Sequence, residues 1–105
     1  MNLDDLIKSA DEGGDPPIGT NPSLMAMWLA RANQWDQAHD LCQEIEGVDG
    51  AWIHAYLHRV EGDLGNASYW YSVAGKNQPH EDVSVDREWT AIVEVMLKEY
   101  ESSSR

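Results

Sequence analysis

The chain has 105 residues, 42% of them apolar, and 19 carboxylates against 7 Lys and Arg give it a formal charge of -12 at pH 7. That length suits one domain, and the apolar share is too high for a disordered chain. The charge repels phosphate backbones and anionic headgroups, and no basic stripe interrupts it, so neither nucleic acid nor a membrane surface is an expected partner.

Phe is absent and Trp occurs five times, so Trp28, Trp35, Trp52, Trp70 and Trp89 are expected to supply much of the core volume. Cys42 is the single cysteine, which rules out an intrachain disulfide and reads as a small core residue. The start, MNLDDLIKSADE, has neither a basic segment nor a long apolar one, as a secretory signal requires. No run approaches the ~18 apolar residues of a spanning helix. A soluble, cytoplasmic protein is expected.

Leu3, Leu6, Ile7 and Ala10 recur at helical spacing and predict a helix over 3–11, followed by a Gly- and Pro-rich loop, GGDPPIGTNP. Asn21 then caps a second helix with Pro22 in its first position. That helix, PSLMAMWLARA, is apolar almost all round, which predicts a central element or, through Met27, a surface for pairing with a second copy. After a break at Asn33 and Gln34, Trp35, Ala38, Leu41, Cys42 and Ile45 stripe a third helix running to Glu46. Gly47, Asp49 and Gly50 form the next break, with Asp49 the expected N-cap.

The fourth helix, Gly50 to Glu61, places Trp52, Ile53, Tyr56, Leu57 and Val60 on its apolar side and His54, His58 and Glu61 on the other. A Gly62-Asp63 turn leads to a fifth, with Leu64, Ala67, Tyr71 and Ala74 in one stripe, Trp70 and Val73 beside it, and Gly75 as its stop. A last helix from Ser84 to Glu101 carries Val85, Trp89, Ile92, Val93, Met96 and Tyr100 on one face, before an SSSR ending expected to fray. Nothing alternates as a half-buried strand does. The predicted fold is all-α.

Sliding the chain on itself matches best at an offset of 29 residues, taking Leu24 to Ile53, Ala26 to Ala55, Ala38 to Ala67 and Ile45 to Ala74. Both units read as antiparallel helical hairpins, with a small residue near each bend to let the two rods close to about 8–10 Å. Gly62-Asp63, Ala67, Tyr71 and Ala74 resemble the turn and second helix of a tetratricopeptide repeat. Asn33-Gln34 and Cys42 form a weaker copy. The resemblance covers residues 22–75 and implies two degenerate repeats within a single domain, 1–105. Residues 1–21 supply an N-terminal helix and loop, and 84–101 a covering helix. The string WIHAYLHRVEGDLGNASYWY also resembles small bacterial proteins, which implies a bacterial cytosolic origin and carries no activity with it.

Two functional readings follow from the residues. The first is a non-catalytic module that binds a protein or peptide, or pairs with itself as a homodimer. Its expected contacts are Trp52, Tyr56, Arg59, Asn66, Tyr69 and Trp70, since Tyr69, Trp70 and Tyr71 cannot all face one core. Asn66 clamps a peptide backbone or ties the hairpin turn. The alternative is a metal or small-ligand site at His54, His58 and Glu61, whose H-x3-H-x2-E spacing puts three donors on one helical face. These histidines equally suit hydrogen bonding inside the helix pack, and His39 or His80 joins them only through the fold. No phosphate loop, nucleophile elbow or Cys-His motif marks an enzyme, and no cofactor is expected.

Overall fold

A computed structural model describes residues 2–17 and 20–103. They form α1 Leu3–Asp11, α2 Pro22–Arg31, α3 Trp35–Cys42, α4 Val48–Glu61, α5 Leu64–Ala74 and α6 Val85–Ser103, with no strand among them. The fold is the all-α one that the periodicity predicts. Local chemistry sets most of the ends. The Asn21 side chain accepts from the Leu24 amide at 2.8 Å, with Pro22 opening the helix behind it. Gly62 and Gly75, at φ 87° and 69°, close α4 and α5 in the left-handed region that favours glycine. The end of the expected SSSR fray falls on residues outside those described, and α6 itself runs two residues past Glu101.

The third and fourth helices differ from the predicted ones at their junction. α3 stops at Cys42 rather than Glu46, because the Glu44 and Ile45 amides bond back only three residues, to Leu41 and Cys42. α4 begins at Val48, before Gly50, and its N-cap is Gly47 at φ 84°. Asp49 therefore lies inside the first turn, where its carboxylate accepts from Ser23 Oγ at 3.3 Å. Gly50 is dictated by packing, since a Cβ there would meet the Ile45 carbonyl oxygen at 1.9 Å.

The hairpin pairs α2 with α3 and α4 with α5 are the most extensive helix contacts, and α6 lies across α1, α2 and α4. Ala38 and Ala67, the small residues beside the two bends, are both fully buried. α2 is central, touching α1, α3, α4 and α6. Met27 is fully buried and its carbonyl accepts from Trp89 Nε1 at 2.8 Å, so it lies under α6 and offers no outward surface for pairing. Trp28 and Trp89 are buried, whereas Trp35, Trp52 and Trp70 are half-buried at the margins of the core. Val60, Leu64 and Val85, expected on core stripes, stay exposed at helix ends. Among the described residues no helix is long and apolar enough to cross a membrane.

α4 is where the simple picture of one dry and one wet face fails. It packs on α2, α3 and α6 with one side and on α5 with the other. Residues from Gly50 to His58 are accordingly buried all round the helix, Trp52 alone being partly exposed. His54 and His58, expected on an outer side, are 7% and 9% exposed.

Candidate metal centre

The groove that α3 and α5 form over α4 gathers three of the four histidines. His54 and His58 stand one turn apart on α4, with rings stacked at 4.8 Å and 26°. His39 enters from α3 and sets its Nε2 3.0 Å from Nε2 of His54. One donor atom from each of the three lies within 4.8 Å of the other two. Around an ion with bonds of about 2.0–2.1 Å, tetrahedral nitrogens stand roughly 3.3 Å apart, a separation close to the 3.0 Å between His39 and His54.

Indoles hold these rings in place. Trp35 stacks on His39 at 4.8 Å and 10°, one helical turn away, and donates Nε1 to the Leu57 carbonyl of α4 at 2.8 Å. On the opposite flank Trp70 of α5 stacks on His54 at 4.1 Å and 14°. Burial pushes the His54 imidazole down to about 4, and the neighbouring His39 and His58 rings act in the same direction. The ring is therefore neutral at pH 7, the form that binds metals.

Glu61 has a different place from the expected one. Its Oε1 lies 2.6 Å from Nδ1 of His58. A carboxylate only accepts, so Nδ1 carries a proton, and Nε2 is the His58 nitrogen left to serve a metal ion. This is the carboxylate–imidazole pairing that orients metal-ligating histidines and raises their basicity. The sequence triad of His54, His58 and Glu61 thus becomes His39, His54 and His58, with Glu61 behind one ring. His58, Glu61 and Asp63 form a second, more exposed group. There the Asp63 carboxylate is committed to α5, accepting from the Asn66 amide at 3.3 Å and from its Nδ2 at 2.7 Å.

His80 stays apart from the triad, exposed beside Asp82. His39 did leave a signal in the sequence. Trp35, His39 and Cys42 recur at i, i+4 and i+7, which puts the imidazole on the apolar side of α3.

No protein-family model, curated protein or solved structure matches the chain. The site therefore rests on its own geometry.

The six expected contact residues do not share a surface. Tyr56 is 4% exposed and part of the core. Arg59 is mostly covered, donating to Glu88 Oε1 at 2.9 Å and to the Val83 carbonyl. Asn66 ties the hairpin turn through Asp63. Trp52 packs on the core beneath Lys76, whose ammonium lies 4.3 Å from its ring centre. Tyr69 and Trp70 do stay together, edge to face at 5.2 Å, with Tyr69 61% exposed.

Proposed function

We propose that this protein binds a divalent transition-metal ion of the zinc class through His39, His54 and His58. The observation that carries the reading is the convergence of three imidazoles from two helices on one point, two of them buried and His39 half-buried, with Nε2 of His39 and His54 3.0 Å apart. Three nitrogen donors suit zinc, copper, nickel or cobalt, and they suit neither magnesium nor calcium, which take oxygen. The stacking of His39 on Trp35 and of His54 on Trp70, and the Glu61 carboxylate behind His58, support a built site. The overall charge of -12 adds a field that draws cations.

Thermal unfolding of untagged, chelator-treated protein with and without zinc tests it. Ligand at 100 times Kd stabilises the native state by about 2.7 kcal/mol, which for a domain of this size raises Tm by roughly 10–20 °C. No shift with zinc, copper, nickel or cobalt ends the reading.

A second, non-catalytic reading keeps the tetratricopeptide-like interaction module and moves its surface to α5. This helix packs mainly on α4, carries no charged residue, and leaves Leu64, Tyr69 and Val73 more than half exposed. In a chain so acidic, a neutral, apolar edge is where a second copy meets the least repulsion. Stacked hairpins also want a further unit or a cap on such a face. Sedimentation velocity decides between outcomes. A dimer that Tyr69→Arg converts to monomer supports the reading, and a monomer at every concentration removes it.

A further inference from the structure

Three imidazoles do not complete a four-coordinate site. Among the described residues no fourth histidine, cysteine or carboxylate joins this group of donor atoms. Cys42 is close by in sequence, yet its thiol is turned to the His39 carbonyl, with Sγ 3.1 Å from that oxygen. Closed structural zinc sites have four protein ligands, whereas sites with three keep a position for an exogenous group. The ion would also keep its full double charge, because every donor is a neutral imidazole.

His54 is at the same time a wall of a cleft of about 400 Å³ between the end of α3, the start of α4 and α5. Ile45, Ala51, Trp70 and Val73 line it too, with Gln43 among the polar groups at its edge. Gly50 lines it as well, and the lack of a side chain there is what lets α4 close on the Ile45 carbonyl. Apolar walls beside a polar, chargeable end are the usual make-up of a small-molecule site. The same Trp70 that stacks on His54 forms one side of the cleft, so the two features share a wall.

We propose that this cleft seats the apolar body of a small organic acid whose carboxylate occupies the remaining coordination position of the ion held by His39, His54 and His58. The inference rests on the metal reading above and adds the class of ligand to it. An anionic head offsets the charge that neutral imidazoles leave in place, and an apolar body matches Ile45, Ala51, Trp70 and Val73. The acidity of the rest of the chain opposes the approach of an anion at long range. That opposition is screened beyond about 10 Å at 0.1 M salt.

Untagged protein loaded with cobalt reports ligand exchange through its visible absorption, and acetate and phenylacetate share a head while differing in body. Both acids are expected to shift the cobalt spectrum, phenylacetate with a Kd about tenfold or more below that of acetate. Val73→Asp, on an exposed wall of the cleft, and Ala51→Leu, which fills it, are each expected to erase that difference while cobalt stays bound. Val73 is 52% exposed, so its variant tests the wall without disturbing the core. Equal Kd values in the wild type, a cobalt spectrum that neither acid alters, or a difference that survives both variants overturns the cleft inference and leaves metal binding standing. Failure to bind any of cobalt, zinc, copper and nickel overturns both.

Discussion

Glu88 is 5% exposed, yet its carboxylate is fully used. One oxygen accepts from Arg59 at 2.9 Å, and the other accepts from the Tyr71 hydroxyl at 2.5 Å. The side chain thereby fastens α6 to α4 and to α5 through one pair of oxygens. Burial and the adjacent carboxylate push the Tyr71 phenol well above its ordinary range, so it stays a donor at any pH the fold survives. Glu88→Ala leaves the mostly covered Arg59 guanidinium without its carboxylate, and urea unfolding is expected to show a loss of about 3 kcal/mol. A loss below 1 kcal/mol would mean that water replaces the carboxylate. At the surface, Arg31 holds Asp11 by two bonds, at 2.8 and 3.1 Å, joining α2 to α1. The bonding lowers the Asp11 pKa. The folded state therefore binds that proton less readily than the unfolded state does. The stabilisation is complete above the ordinary carboxylate pKa and is lost as pH falls through the depressed value. Asp11→Asn is expected to lower Tm slightly at pH 7, and the gap to wild type to close as the pH falls below the depressed Asp11 pKa. Cys42 makes the opposite case, for its thiol is pushed up to about 12 by burial and then by Asp40. Thiol reagents at pH 8 are expected to label it only after unfolding, and rapid labelling of the native protein would contradict its burial.

Among the elements, the junction between α3 and α4 sets the position of the histidines. Gly47 turns the chain at φ 84°, and Gly50 brings α4 against the Ile45 carbonyl. Gly50→Ala forces backbone apart, and about 3 kcal/mol of destabilisation is expected in urea, together with weaker metal binding as His39 moves from His54. Much of this level was legible in the sequence. Asn21-Pro22 gave the start of α2 and Gly75 the end of α5, because caps are local chemistry. The junction was not legible, because a close backbone approach leaves only a glycine as its trace. The histidine face of α4 was misjudged for a related reason. His54 and His58 fall about 100° round the helix from Ile53 and Leu57, on the side away from the apolar stripe, and α5 packs there, with Trp70 stacked on His54. His39 was legible only as a polar residue within an apolar stripe, and what it meets depends on a contact 15 residues away in sequence.

At the scale of the whole molecule, two hairpins and a covering helix make a frame whose polar interior point is the imidazole cluster. Helices α3 and α4 supply its nitrogens, and α5 supplies the indole that stacks on His54. The fold thus sets three imidazoles beside the core of an acidic helical chain. The claim that separates this account from the sequence pattern is the part played by His39. The decisive measurement is the zinc content of untagged protein after equilibrium dialysis, compared across single variants. One zinc per chain is expected in wild type and in His80→Ala, none in His39→Ala, and an affinity 10–100-fold lower in Glu61→Ala. Zinc retained at full affinity by His39→Ala, or absent from the wild type, would contradict it.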